Sequence, residues 1–387
     1  MKYYLIAGEA SGDLHGSNLM KGLYANDNEA DCRFWGGPLM DSAYKENQVG
    51  SALIHDYREE AVIGFSQVIL NAGRYFRLLQ KCKQDILEWK PDLIILIDYP
   101  GFNFKIAKFA HNKGFKVFYY IAPKVWASRE NRLKQLKAYV DRLFIIFPFE
   151  KEYFEKKGVD YIYAGNPTID AIDLSPSSHQ SKEGFMEECG LQKKSYIAIL
   201  AGSRKGEIAS MMPVCMKFAD MLREIKEYSD YIFIIAGAPA RDAKDYAPYI
   251  KGREEYVKLV FGRTYPLIKY AEAAVVNSGT ASLETCLLGT PQVVGFSSAP
   301  FNFVIGKKII KIEFISLGNL ILGRKAFKEL MQYYLTPENL LSEVRRLIED
   351  KEYRENMISS YKEIRKALGE SGASMKIAQA MIKEIRG

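Results

Sequence analysis

Twice along the chain an apolar run ends at a glycine-bearing turn that opens a segment of helical period. Tyr3 to Ala7 leads into Gly8-Glu9-Ala10-Ser11-Gly12-Asp13, and Tyr196 to Ala201 leads into Gly202-Ser203-Arg204-Lys205-Gly206-Glu207. Strand, glycine turn and helix in that order begin a parallel β-α-β unit, so each half predicts a sheet of its own. Two such halves imply a cleft between them. Backbone N–H groups at such helix starts favour anions, which points to phosphate, pyrophosphate or carboxylate ligands.

The rest of the chain keeps this rhythm. At 387 residues it is long for one core, and two domains are the natural division. In the first half, strands are predicted near Tyr3–Ala7, Arg33–Trp35, Leu93–Asp98, Lys116–Ile121, Arg142–Ile146 and Tyr161–Ala164. In the second half they fall near Tyr196–Leu200, Tyr231–Ile235, Val257–Val260, Ala274–Asn277 and Gln292–Gly295. Alternation of this kind predicts an α/β protein with a parallel sheet in each half, wrapped on both faces by helices. The polar, proline-bearing stretch from Ala171 to Lys182 reads as a linker. The expected organisation is therefore an N-terminal domain over 1–172, a second domain over 183–350, and C-terminal helices over 351–387 that pack back on an N-terminal domain.

Composition narrows the function. The net charge of +7 is spread along the chain. With no zinc-finger spacing, aromatic RNA-binding signature or basic arm, nucleic acid is not the expected partner. An anionic membrane surface or a phosphorylated substrate fits this charge. Cys32, Cys82, Cys189, Cys215 and Cys286 stand singly and read as reduced core residues of a reducing compartment. His15, His55, His111 and His179 make no ligand spacing, so neither a metal nor another cofactor is expected. The first residues enter a strand directly, without the pattern of a secretory leader, and the longest apolar runs are far below the ~20 residues of a spanning helix. A soluble or membrane-peripheral protein is expected.

The second half holds the sharper chemistry. Ala274 to Asn277 reads as a strand, Ser278-Gly279-Thr280 as a turn and Ala281 to Leu288 as a helix stopped by Gly289-Thr290-Pro291. Hydroxyls, glycine and a helix start together can hold a diphosphate, and Glu284, one helical turn after Thr280, can reach a ribose diol. Gly202, Ser203 and Arg204 offer further donors, with the Arg204 fork suited to phosphate oxygens. Neither turn is a Walker A loop or a full G-x-G-x-x-G, which disfavours ATPase and dinucleotide chemistry. In the first half, Leu93 to Ile97 ends at Asp98, followed by Tyr99-Pro100-Gly101-Phe102-Asn103. A carboxylate at a strand's carboxyl end can accept a proton from an attacking hydroxyl. Glu9 and Asp13 are rival carboxylates, and Ser11, Gly12, His15 and Asn103 are candidates for orienting a substrate.

Several motifs in order carry a resemblance. They are Ala7 to Asp13, Ile97 to Asn103, Tyr120-Ile121-Ala122-Pro123-Lys124-Val125-Trp126-Ala127, Phe147-Pro148-Phe149-Glu150, Gly202-Ser203-Arg204, Ser278 to Glu284, and Ser316-Leu317-Gly318-Asn319-Leu320. Over nearly its whole length the chain resembles the lipid-A-disaccharide synthase family, inverting GT-B glycosyltransferases with two facing Rossmann-like domains. The resemblance implies transfer of 2,3-diacylglucosamine from its UDP conjugate to 2,3-diacylglucosamine 1-phosphate, giving the β-1,6-linked disaccharide of lipid A and UDP. It implies Asp98 as general base and Arg204, Thr280, Glu284 and Asn319 in or near the donor site. It also implies a Gram-negative cell and a cytoplasmic, peripheral location on the inner face of the inner membrane, and it leaves a homodimer open. The chain departs from the family pattern at Ala164-Gly165-Asn166-Pro167, where a glycine-histidine pair is usual, at Ala201 in place of proline, and at Ser128 in place of a second tryptophan. Asn166 can donate a hydrogen bond but cannot titrate.

Acylated substrates come from a membrane. The stretch Val62 to Leu79 combines Val62, Phe65, Val68, Ile69, Phe76 and Leu79 with Arg74 and Arg77, the composition of an interfacial amphipathic helix. Phe301 to Phe314, with Lys307, Lys308 and Lys311, is a second candidate. Two other readings stay in view: another nucleotide-sugar enzyme of this architecture, such as a UDP-GlcNAc epimerase or a lipid-linked GlcNAc transferase, and a non-catalytic sugar-nucleotide-binding module.

Overall fold

The computed structural model describes residues 1–61, 72–126, 130–191, 195–297 and 313–387. They form two compact units, Met1–Ala171 with Leu368–Gly387, and Ile172–Ala367. The first contains a seven-stranded sheet in the order β3-β2-β1-β4-β5-β6-β7, and the second a six-stranded sheet in the order β10-β9-β8-β11-β12-β13. In chain order the strands of the first are β1 Lys2–Ala7, β2 Asp31–Gly36, β3 Leu53–Asp56, β4 Leu93–Ile97, β5 Lys116–Tyr120, β6 Arg142–Ile145 and β7 Ile162–Tyr163. Those of the second are β8 Tyr196–Leu200, β9 Ile232–Gly237, β10 Val257–Phe261, β11 Ala273–Asn277, β12 Gln292–Phe296 and β13 Glu329–Met331. Every pairing is parallel. Parallel strands need crossovers, and the helices that supply them bury both faces of the central strands. β4 and β8 are accordingly buried at every residue.

The strands expected from sequence are present, and two more appear. β3 and β13 are an edge strand of four residues and an edge strand of three, too short and too polar to produce an apolar run. The segment read as a linker is also structured. It carries the helix Pro167–Asp173 and the turn Pro176–His179. It is held to the second unit by Lys269 Nζ on the Ser178 carbonyl at 3.0 Å and Tyr270 Oη on the Gln180 carbonyl at 2.6 Å. The C-terminal helices separate: all of Lys351–Leu368 but its last residue lies in the second unit, whereas Ala373–Arg386 belongs to the first.

That last helix packs on the first helix, Ala10–Asn26, at a glycine. A Cβ on Gly22 would stand 2.9 Å from Ala378 Cβ, so the close approach requires the absence of a side chain. Its amino end is held by Asp170, which is 1% exposed. The Asp170 carboxylate accepts from Gly372 N at 2.6 Å, Ala373 N at 3.3 Å, Ser374 N at 2.6 Å and Ser371 Oγ at 3.1 Å. Losing this cap leaves several buried donors without a partner, each a cost of about 1–3 kcal/mol before relaxation. Asp170→Ala is expected to lower stability by at least ~2 kcal/mol in urea unfolding followed by circular dichroism.

Candidate active site

In each sheet the strand order reverses beside the first strand of the unit, between β1 and β4 in one and between β8 and β11 in the other. Crossovers leave to opposite sides at such a point, and a crevice opens outside the carboxyl ends of those two strands. Gly8 to Asp13 follows β1 and Asp98 follows β4, with Ala7 paired to Ile97. Gly202 to Glu207 follows β8 and Ser278-Gly279-Thr280 follows β11, with Val276 paired to Leu200. The topology thus brings each glycine turn beside the second motif of its own unit.

The two turns of the second unit differ in what they leave available. Gly202 has φ +106°, and a Cβ there would lie 2.6 Å from Glu207 Oε2 and 2.9 Å from Asn277 Nδ2, so only glycine fits. The turn closes on the chain's own carboxylate: Glu207 Oε2 accepts from Ser203 N at 3.0 Å and Arg204 N at 3.2 Å. Sequence reasoning read these amides as ligand donors and missed Glu207, three residues on, which is a capping-box spacing. The exposed Arg204 side chain lies 3.5 Å from Glu207 Oε1. The helix Thr280–Leu288, by contrast, starts at Gly279 with no side-chain cap. Ser278 Oγ donates to the Ile315 carbonyl at 3.0 Å, and among the described residues no side chain caps the first turn after Gly279.

Glu284 is half-buried on that helix and accepts from Tyr265 Oη at 3.2 Å. Burial pushes its pKa up to about 7, with the Tyr265 hydrogen bond pulling the other way. Asn319 is placed differently from expectation. It is fully buried, with Nδ2 on the Phe327 carbonyl at 3.1 Å and Glu329 Oε1 at 2.8 Å, and Oδ1 accepting from Ala326 N at 2.7 Å and Phe327 N at 3.3 Å. All four hydrogen-bonding positions of its amide are filled by the chain, which holds the loop Phe327 to Glu329 against it.

In the first unit, the helix Ala10–Asn26 also starts without a side-chain cap, at Glu9, which accepts from Ser11 Oγ at 3.3 Å. Gly8 is needed because a Cβ would lie 2.3 Å from the Tyr99 ring, and Gly12 because one would lie 3.1 Å from Ala7 Cβ. Asp13 and His15, expected to orient a substrate, are both buried in the structure. Asp13, 1% exposed, accepts from Gly37 N at 2.8 Å, Leu39 N at 3.1 Å and Met40 N at 3.0 Å and so caps the helix Pro38–Lys45. Burial raises its pKa against the pull of those amides. His15 is 4% exposed, and burial lowers its pKa to about 4, so it packs as a neutral ring.

Asp98 stands at the carboxyl end of β4 with φ +41°, followed by Tyr99 at φ +47°. Asn103 Nδ2 donates to the Asp98 carbonyl at 2.8 Å, so Asn103 acts on the backbone of the turn. Glu150 is buried and fixes the neighbouring loops. It accepts from Trp126 Nε1 at 3.0 Å, Ile146 N at 3.1 Å and Phe147 N at 3.0 Å, and burial pushes its pKa up to about 7. Asn166 binds the Ile146 carbonyl at 2.9 Å and accepts from Thr168 N at 2.8 Å.

Of the surface residues read as membrane-facing, Val62, Phe65, Val68 and Ile69 lie outside the described residues, as does most of Phe301 to Phe314. Leu79 is corrected to a core residue, 3% exposed and clustered with Cys82 and Ile86, because it lies on the inward face of the helix Ala72–Trp89. Phe76 on the same helix is 56% exposed, with Lys105 Nζ 5.7 Å from its ring centre. Among the described residues no helix is long and apolar enough to cross a membrane.

The sequence family described as Lipid-A-disaccharide synthetase matches residues 3–383. The chain belongs to that family. It is 34% identical over 380 residues to a lipid-A-disaccharide synthase of Geobacter metallireducens, covering 98% of this chain and 96% of the relative. It is 35% identical over 378 residues to the enzyme of that name from Syntrophus aciditrophicus, covering 97% and 95%. Among solved structures it is similar to UDP-GlcNAc 2-epimerase from Methanocaldococcus jannaschii in complex with UDP-GlcNAc and UDP, at 14% identity and a TM-score of 0.66 over 99% of this chain and 100% of that one. The likeness to the solved structure concerns the fold, which is of the GT-B type. As a member of the lipid-A-disaccharide synthetase family the chain is a glycosyltransferase of lipid A biosynthesis.

Glu284 gives a testable stability signature. Its folded pKa lies above the ordinary carboxylate value, so the fold favours the protonated form. The stability this confers is present below about pH 4.5 and is lost as pH rises through 7. Glu284→Gln removes that loss and is expected to be more stable than the parent by about 1–2 kcal/mol at pH 8 and equal to it at pH 4.5, read from urea unfolding at both pH values.

Proposed function

We propose that Asp98 is the general base for transfer of 2,3-diacylglucosamine from its UDP conjugate to the 6-hydroxyl of 2,3-diacylglucosamine 1-phosphate, with inversion at the anomeric carbon. The observation that carries the reading is Asp98 at the strand-order reversal of the first sheet, at the carboxyl end of β4. In-line attack puts the incoming hydroxyl on one face of the anomeric carbon and the departing UDP on the other. A carboxylate is required on the first side and anion stabilisation on the second.

The second unit supplies the anion side. The first-turn amides of Thr280–Leu288, free of a side-chain cap, take the diphosphate, where fixed dipoles offset the charge growing on the leaving β-phosphate. Arg204 adds a charged fork at the neighbouring strand end. Glu284 accepts from the ribose hydroxyls with the oxygen that Tyr265 does not use. Ionised Glu284 is the stronger acceptor, so UDP affinity should rise as pH passes through 7, and the Gln variant should lose that dependence along with part of the affinity.

Acceptor and donor both carry acyl chains, so the enzyme works at a membrane surface. We assign the exposed face around Phe76 and Lys105 to the anionic inner face of the inner membrane, a peripheral and cytoplasmic placement.

The test is UDP release from UDP-2,3-diacylglucosamine in detergent micelles, with and without the acceptor. Release that depends on the acceptor and yields a disaccharide supports the reading; release without acceptor points to a different nucleotide-sugar enzyme. Asp98→Asn is expected to bind UDP normally and lose about 10²- to 10⁴-fold in kcat. Turnover near that of the parent would move the base to Glu9.

A further inference from the structure

Five residues other than glycine have positive φ among the described residues, and three of them lie at the carboxyl ends of β4 and β5: Asp98 at +41°, Tyr99 at +47° and Ile121 at +64°. Such conformations cost about 1–3 kcal/mol each and persist only where the surroundings over-determine them. The β-branched Ile121 is a clear outlier.

What holds the turn is visible. Asp98 N donates to the Tyr120 carbonyl at 3.1 Å, extending the β4–β5 ladder by one residue. The Asp98 carbonyl accepts from Tyr119 Oη at 2.6 Å and Asn103 Nδ2 at 2.8 Å. Asn103 is itself held, since the same nitrogen lies 3.3 Å from the Ile97 carbonyl and 3.4 Å from that of Ile6. The Tyr99 ring lies over Gly8 and stacks on Phe102 at 5.5 Å. Tyr119 is fully buried, its ring packed at 5.5 Å from Phe104, and burial keeps its phenol protonated. It is therefore a permanent donor, and its hydroxyl goes to the backbone carbonyl of Asp98.

We propose that Tyr119 is a positioning residue for the transfer reaction: with Asn103 it clamps the Asp98 carbonyl, and the clamp fixes the direction in which the strained Asp98 presents its carboxylate. The proposal rests on Asp98 being the base. Phenylalanine fills the same space and removes one hydrogen bond, so Tyr119→Phe leaves that carbonyl with the Asn103 contact but without the phenol and lets the turn relax. A carboxylate displaced by a fraction of an ångström loses rate and leaves binding intact.

The experiment is a double-mutant cycle of Tyr119→Phe with Asp98→Asn in the full-length chain, with kcat and both KM values measured in micelles. Tyr119→Phe is expected to lower kcat roughly 10- to 100-fold, to leave donor and acceptor KM unchanged, and to cause no further loss in the Asp98→Asn background. Unchanged kcat, an effect confined to KM, or an equal loss in both backgrounds would overturn the positioning role while leaving the base assignment standing. Full turnover by Asp98→Asn alone would overturn the base assignment, and the positioning role with it. Should Tyr119→Phe fail to fold, Asn103→Ser removes the other donor from the same carbonyl, and its cycle with Asp98→Asn is judged by the same outcomes.

Discussion

The reversal of strand order beside the first strand of each sheet is the constraint on which the rest depends. Parallel strands can be joined only by right-handed crossovers. A chain that builds outward first to one side and then to the other must part its crossovers at the point of reversal. The order reverses at β1 and β4, and again at β8 and β11, so the crossovers part beyond the carboxyl ends of those strands. The most informative turns of the chain, Gly8 to Asp13, Asp98 to Asn103, Gly202 to Glu207 and Ser278 to Thr280, all fall at those four strand ends.

The distribution of internal carboxylates follows the same division. Asp13, Glu150, Asp170, Glu207 and Glu329 each accept backbone N–H groups at or just before the start of a helix. These helices have their amino-terminal charge satisfied by the protein itself. The helices Ala10–Asn26 and Thr280–Leu288 begin at reversal points and carry no side-chain cap. An anionic ligand therefore meets a competing carboxylate at those five helix starts and amides without a side-chain cap at these two, as also at the start of Pro100–Asn112 after β4.

Strain and burial add the chemistry. The left-handed pair Asp98-Tyr99 is held from three sides, and Glu284 is kept at a raised pKa by burial with one oxygen engaged by Tyr265. Both features cost stability in the free protein, the pattern expected where groups are arranged for a ligand and not for the fold.

Sequence alone determined the class of the fold and the places where chemistry is carried. Apolar runs, glycine turns and helical period are local signals, so the long central strands and the motifs at their ends were legible. β3 and β13 were not, because strands of four and three residues at a sheet edge bury too little to leave a pattern. Only the tertiary structure decided which members of each motif serve the chain. Asp13 and Asn319 carry suitable functional groups for a ligand, yet their partners, Gly37 to Met40 and Ala326 to Glu329, are supplied by later parts of the chain. Leu79 and Phe76 lie three residues apart on one helix, and packing alone turned one to the core and the other to solvent. Tyr119 reads as an ordinary strand residue until the register of β4 against β5 sets its hydroxyl on the carbonyl of Asp98. Hydrogen-bond satisfaction and burial are properties of neighbours in space, and one residue's spacing to the next does not encode them.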